Sequence, residues 1–185
     1  YLRRHRDGIE LYKRFFHAAN LLGADLLVFH GDRREATRPY ESYFERFVGL
    51  MEAGQRMGVT VAQENVPRCT SWQPRFFEEM AKALPEAKFV LDVKQSLRAG
   101  FAPMEMAKAM GTGLVHLHIS DHDQTHDCLP VGKGCLDTKK MLEELKRQGF
   151  DGGVILEVYR DNYQVYEELG ESYQKILEAI SEKAL

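Results

Sequence analysis

Short apolar runs alternate along this chain with longer stretches in which apolar residues recur at helical spacing. Each short run ends in a polar residue, which is typical of buried parallel strands that point toward a common edge. The predicted strands cover residues 25–30, 59–64, 88–92, 114–118 and 153–157. The predicted helices cover residues 5–22, 40–57, 74–84, a short segment that begins at Pro103 and stops at Gly111, 138–148 and 163–182. This alternation predicts parallel strands joined by crossover helices.

Two architectures contain parallel strands with crossover helices: the open doubly wound sheet and the closed barrel. An open sheet binds its ligand at one switch point, whereas a barrel directs every strand end to a central site. Every predicted strand here ends in a residue that can bind a ligand, namely His30, Glu64, Asp92, His118 and Glu157. We therefore predict an α/β fold of the (β/α) TIM-barrel type.

The length of the chain bounds how much of a barrel it can form. An eight-stranded barrel usually takes about 250 residues, and this sequence has 185. We interpret residues 1–185 as a single domain made of the C-terminal five βα units of an eight-stranded barrel, without its N-terminal units. Open strand edges favour pairing with another chain, so a homodimer is expected if these 185 residues are the whole chain.

Composition and charge exclude several classes of partner. No stretch reaches the roughly 20 apolar residues that a membrane span needs. A net charge of −3 does not attract the whole molecule to nucleic acid, and a local basic patch stays open as the alternative. The three cysteines, Cys69, Cys128 and Cys135, contain no Cys-x-x-Cys pair and predict reduced thiols in the cytoplasm. Cys69 and Cys128 fall near loops, so a role as metal ligands is a weaker alternative.

Strand parity places the strand-end residues on one side of the predicted sheet. Residues two apart share a face, so Ala62 aligns with Glu64 and Val90 aligns with Asp92; His116 lies one layer below His118. If these faces point into the barrel, the strand ends meet at one mouth. Each residue alone has an ordinary explanation, as a solvated carboxylate or a locally bonded histidine.

Together, however, the carboxylates would repel each other and would be costly to bury. A divalent cation removes that cost, and carboxylates with one imidazole suit Mn²⁺, Mg²⁺, Co²⁺ or Zn²⁺. We predict one divalent ion, with Glu64, Asp92, His118 and Glu157 as its ligands.

Five segments carry a resemblance to a known family: residues 58–65, 89–92, 115–121, 130–134 and 152–157. In their order and spacing they resemble the xylose isomerase-like TIM barrel superfamily, which includes sugar phosphate isomerases/epimerases, ketose 3-epimerases, inosose dehydratases and endonuclease IV. The resemblance implies the same four ligands and one ion, often manganese. It implies an isomerase or epimerase that acts on a small sugar, sugar phosphate or polyol through an enediolate, with Glu64 and Glu157 transferring the proton.

The chain departs from the family at one position of interest. The epimerases and endonuclease IV typically carry a histidine three residues after the strand aspartate, where this sequence has Gln95. A neutral amide is a poorer metal ligand and is neither acid nor base near pH 7, which weakens both the ketose 3-epimerase and the endonuclease hypotheses. A dehydratase of the inosose or dehydroshikimate type, an endonuclease IV-like phosphodiesterase and a non-catalytic binding protein remain the alternatives.

Four residues around the predicted ligands are candidates for substrate binding: His30, Lys94, Gln95 and Arg160. Two residues past Asp92, Lys94 would share its inward face and either hold a substrate carboxylate or phosphate or pair with Asp92 itself. Arg160 would either hold such an anion or lie on the surface.

Three further features of the sequence each have two interpretations. His122 and His126 lie in a polar loop and either touch the site or are solvated. Residues 132–134 offer backbone N–H groups that would bind an anion or form a plain turn. Trp72 would be a wall over a sugar ring or would pack against a helix.

Overall fold

The computed structural model describes residues 5–34 and 39–181. Within these ranges the helices and strands alternate as the sequence predicts. In chain order they are α1 (His5–Leu21), β1 (Leu26–Phe29), α2 (Tyr40–Gln55), β2 (Thr60–Glu64), α3 (Pro74–Ala83), β3 (Lys88–Asp92), α4 (Val93–Arg98), α5 (Pro103–Met110), β4 (Leu114–Ile119), α6 (Thr138–Arg147), β5 (Gly153–Leu156) and α7 (Glu167–Ser181).

The described strands form one parallel sheet in the order β1-β2-β3-β4-β5. Strand order therefore follows chain order, without the reversal that creates the switch point of a doubly wound sheet. The sheet is a half-barrel of the TIM-barrel type, and the predicted parallel, consecutive strands are confirmed. In the register of the sheet, Asp92 lies opposite His118, and His118 lies opposite Ile155.

Helices pack on one face of this sheet, which separates an apolar side from a polar one. Phe29, Val61, Leu91 and Leu117 belong to the core that the strands share with the helices. The alternate position Ala62 is also buried but lies on the other face, together with the strand ends. The alternation that the sequence predicts thus decides which side chains face the helices and which face the interior of the barrel.

The structure differs from the predicted elements at two places. Helix α4, which directly follows β3, is absent from the predicted set, although Asp92 caps it by accepting a hydrogen bond from the Gln95 N–H at 3.0 Å. An aspartate with glutamine three residues later is a capping signal. The last helix begins at Glu167 because the Glu168 carboxylate accepts the N–H groups of Gln164 and Val165, at 2.9 and 3.2 Å, before the helix starts. Residue 182, where we predicted its end, lies outside the described ranges.

No helix in residues 5–34 or 39–181 is both long and apolar enough to cross a membrane. The three cysteines are free; Cys69 and Cys128 are buried and Cys135 is exposed.

Candidate metal centre

Four side chains converge at the carboxyl ends of four neighbouring strands. Glu64 ends β2, Asp92 ends β3, His118 is the penultimate residue of β4, and Glu157 directly follows β5. One oxygen or nitrogen atom of each residue lies within 4.8 Å of the corresponding atoms of the others. We call these four residues the cluster. The parallel sheet brings them together because consecutive strands end side by side at the same edge.

His118 lies between the two glutamates. Its Nδ1 is 3.0 Å from Oε1 of Glu64 and 2.9 Å from Oε2 of Glu157. Glu64 exposes 3% of its side chain, whereas Glu157 exposes 40%. The two glutamates therefore differ in exposure: Glu64, on an inner strand, is buried, and Glu157, after the edge strand β5, is open to solvent on one side.

The cluster contains buried carboxylate oxygens without adequate partners. Oε2 of Glu64 and Oδ2 of Asp92 accept no well-aligned hydrogen bond, although His30 Nε2 is 2.7 Å from the first and Lys94 Nζ is 3.3 Å from the second. Buried polar atoms are normally hydrogen-bonded, and unpaired ones are costly. A divalent ion would satisfy such oxygens, and this donor set of carboxylates and one imidazole fits it.

The cluster shifts the pKa values of its own members. Burial alone would lower the pKa of His118, but hydrogen bonds to Glu157 and Glu64 raise it to about 9. The same hydrogen bond to His118, together with the one from Lys94, lowers the pKa of Glu157 to about 2 despite partial burial. The protein without an ion thus holds a proton on His118 where an ion would need a free nitrogen lone pair.

Asp92 shows the cost of burying a carboxylate beside other carboxylates. Burial raises its pKa to about 6, and the charges of Glu64 and Glu157 add to the rise, while the Gln95 N–H and Lys94 oppose it. A pKa this far above the usual range means that the charged form of Asp92 is disfavoured by its surroundings, so a cation nearby would stabilise it.

Two buried amides hold the strand ends in place, and we did not single them out from the sequence. Asn65 pairs with the backbone of Asp92, accepting its N–H at 2.7 Å and donating to its carbonyl at 3.0 Å. Gln63 donates to the carbonyls of Phe29 and His30, at 2.9 and 3.1 Å. The signal that could have found them is the polar pair that flanks Glu64 in an otherwise apolar strand.

The four candidate substrate-binding residues lie in different surroundings, and two of their side chains contact the cluster. The His30 imidazole contacts Glu64 and is half-exposed, and this close contact with the Glu64 carboxylate raises the pKa of His30. Lys94 Nζ lies 2.8 Å from Oε1 of Glu157, held there by α4 and not by a continuation of the strand. Gln95 is half-buried and uses its backbone N–H to hold Asp92. Arg160 is exposed and donates to the Tyr163 carbonyl at 2.8 Å.

The N–H groups of the glycine-containing segment 132–134 donate to a carboxylate side chain of the protein itself. The Asp121 carboxylate accepts the N–H groups of Gly132 at 2.8 Å, Gly134 at 3.0 Å and Leu136 at 2.8 Å. Asp121 is buried, so this segment is occupied internally and shapes the loop after β4.

Three other features of the sequence lie outside the cluster. His126 is exposed and contacts Asp123 in its own loop, at 3.2 Å. His122 Nδ1 is 3.6 Å from Cys135 Sγ. The Trp72 ring packs beside Phe101 with centroids 5.7 Å apart, and the Arg34 guanidinium covers it at 3.7 Å.

Comparisons with known proteins agree with this architecture. The family model of the xylose isomerase-like TIM barrel matches residues 2–183. An uncharacterized protein of Mycobacterium tuberculosis is 31% identical over 172 residues, which cover 78% of this chain and 60% of that protein. The chain therefore spans 60% of the length of this relative.

Solved structures share the same fold. A D-tagatose 3-epimerase-like protein superposes with a TM-score of 0.68 and 20% identity, covering 94% of this chain and 71% of the other. The IolI protein, solved with a bound zinc atom, superposes with a TM-score of 0.72 and 21% identity, covering 96% of this chain and 69% of the other. At these identities the likeness shows the fold alone.

Proposed function

The chain belongs to the xylose isomerase-like TIM barrel family, and on that premise we propose that it is a divalent-metal-dependent isomerase or epimerase. Its substrate class is a small sugar, sugar phosphate or polyol. The observation that carries the proposal is the convergence of Glu64, Asp92, His118 and Glu157 within 4.8 Å. Buried carboxylate oxygens that accept no well-aligned hydrogen bond supply the reason for an ion at this point.

The four residues of the cluster would hold one divalent ion. When bound, the ion would supply Lewis-acid stabilisation for negative charge that develops on substrate oxygen. Manganese, magnesium, cobalt and zinc all suit these ligands, and we propose manganese as the resident ion.

Proton transfer falls to the two glutamates. Glu157 is the more exposed of the two, so a substrate carbon can approach it, and its lowered pKa means that it is ionised at neutral pH. Glu64 is buried and lies on the other side of His118, with its Oε1 3.0 Å from the same Nδ1. Abstraction by one glutamate and return of the proton by the same or the other one would interconvert isomers or epimers through an enediolate.

Lys94 and His30 each contact one of the two glutamates. Lys94 donates to Glu157 at 2.8 Å and so fixes one of its oxygens. His30 contacts Glu64 at 2.7 Å and is half-exposed at the mouth, where it can donate to a substrate hydroxyl. These contacts orient both glutamates, which proton transfer at a defined carbon requires.

Exchange of substrate hydrogen with solvent tests this function directly. The protein, loaded with Mn²⁺ in D₂O, is incubated with a panel of pentoses, hexoses, ketoses and their phosphates. We expect deuterium at a carbon next to the carbonyl, detected by NMR and mass spectrometry, together with an isomer or epimer. A product that has lost one water would identify a dehydratase instead.

Metal binding is tested separately, by calorimetric Mn²⁺ titration of the starting protein and of the Glu157→Ala and His118→Ala variants. Both substitutions remove a proposed ligand, so both should weaken binding. His122→Ala, in the loop after β4, serves as the control and should leave the affinity unchanged. Equal Mn²⁺ affinity in all four proteins would mean that the metal site lies elsewhere.

A further inference from the structure

A lysine side chain is buried inside the cluster. Lys94 exposes 2% of its side chain, and its Nζ lies 2.8 Å from Oε1 of Glu157 and 3.3 Å from Oδ2 of Asp92. Lysine is almost never fully buried unless it is paired. Both of its partners are proposed metal ligands, so the lysine and a metal ion must share them.

The individual oxygen atoms show how this sharing works. Glu157 presents Oε1 to Lys94 and Oε2 to His118 Nδ1, at 2.8 and 2.9 Å. Asp92 presents Oδ1 to the Gln95 N–H at 3.0 Å and Oδ2 toward Lys94. Lys94 therefore contacts one oxygen of Glu157, whereas His118 Nδ1 contacts the other and also Oε1 of Glu64.

The charges of the cluster limit how many divalent ions it can accommodate. Glu64, Asp92 and Glu157 carry three negative charges when ionised. One divalent ion and the Lys94 ammonium together carry three positive charges, so the cluster is neutral when His118 is neutral. A second divalent ion would leave two positive charges uncompensated. The side chains around them, Glu64, Asp92 and Lys94, are only 2–3% exposed, and uncompensated buried charge is strongly unfavourable.

We propose that the Lys94 ammonium stands in the place of a second metal ion and limits the cluster to one divalent ion. The lysine also holds Asp92 and Glu157 in position before the ion binds, and it weakens the binding of that ion by repelling it. The proposal rests on the proposed function only in that the cluster binds a metal.

The test is Mn²⁺ titration by calorimetry, with electron paramagnetic resonance to report whether two ions lie close together. The starting protein should bind one ion. Lys94→Met removes the charge and keeps an unbranched side chain that is one atom shorter. This variant should bind the first ion at least about tenfold more tightly, because a like charge within a few ångströms is removed. At millimolar Mn²⁺ it should bind a second ion and show a spin-coupled signal.

Three further variants make the comparison specific. Lys94→Gln also removes the charge but can still donate to Glu157, so it should shift affinity in the same direction and replaces Lys94→Met if that variant does not fold. Lys94→Arg keeps the charge and should bind one ion, no more tightly than the starting protein. Lys88→Met makes the same substitution at the opposite end of β3 and should leave stoichiometry and affinity unchanged.

The proposal is overturned if a folded Lys94→Met or Lys94→Gln variant binds one ion with equal or weaker affinity, because Lys94 would then only support the cluster. It is also overturned if the starting protein binds two ions. If His118→Ala leaves Mn²⁺ affinity unchanged, the proposed function fails. If His118→Ala weakens binding and the Lys94 variants do not tighten it, only the inference about Lys94 fails.

Discussion

Binding of a divalent ion should displace a proton from His118. Hydrogen bonds to Glu157 and Glu64 raise the pKa of this imidazole to about 9 against the effect of burial. At pH 7 the side chain is then about 99% protonated, since each pKa unit is a factor of ten. Only the neutral imidazole can ligate a metal, so the proton must leave when the ion enters.

The magnitude follows from the distance between the pKa and the working pH. Removing the proton at pH 7 from a group with a pKa of about 9 costs roughly 2.7 kcal/mol of binding free energy, at about 1.36 kcal/mol per unit. The apparent affinity should therefore rise about tenfold per pH unit, or about 30-fold from pH 6.5 to pH 8. Glu157, with a pKa of about 2, is already ionised throughout this window.

Calorimetry in two buffers of different ionisation enthalpy measures the protons released. At pH 7 the starting protein should release about one proton more per Mn²⁺ than the His118→Gln variant. His116→Gln is the matched control. The His116 and His118 ring centroids are 5.2 Å apart, but burial and the charge of His118 lower the pKa of His116, so it is largely neutral beforehand and contributes little.

Two results would refute this reasoning. The first is an identical heat of binding in both buffers after correction for dilution, which would mean that no proton leaves. The second is an affinity that does not change between pH 6.5 and pH 8. Either would show that the ion does not bind to the His118 nitrogen that now lies between the two glutamates.

Three more outcomes are expected. Glu157→Gln should lower solvent exchange of the substrate hydrogen by about 10²–10⁴-fold, measured with Mn²⁺ in excess, whereas His122→Ala should retain most of it. Asn65→Leu should lower the free energy of unfolding by about 1–3 kcal/mol in urea, because the buried N–H of Asp92 loses its acceptor; an unchanged midpoint would contradict this role. In the metal-free protein, His118 should stabilise the fold most fully below pH 6.5, and the free energy of unfolding should fall by up to about 3 kcal/mol as the pH rises through about 9. Unfolding followed by circular dichroism at a series of pH values measures this change. The opposite trend would mean that the histidine is not hydrogen-bonded to carboxylates.

The sequence by itself determined the parallel sheet and the members of the cluster. Apolar runs that end in Glu64, Asp92, His118 and Glu157 predicted both the strands and their common edge, because parity in a strand is local and every crossover in such a fold returns to the same end of the sheet. Helix limits were also close, since Pro103 and Gly111 mark the ends of α5 by their own backbone preferences.

Only the tertiary structure decided what each cluster residue contacts. Strand parity placed Lys94 beside Asp92, yet the chain turns into α4 at Val93, and it is the helix that carries the ammonium to Glu157. The sequence of residues 132–134 predicted N–H groups that would bind an anion but did not identify it. In the fold, Gly132 and Gly134 donate to the carboxylate of Asp121, which is eleven or more residues away in the chain. Contacts of this kind join residues that are distant in the chain, and the side-chain directions that create them depend on packing that no local pattern encodes.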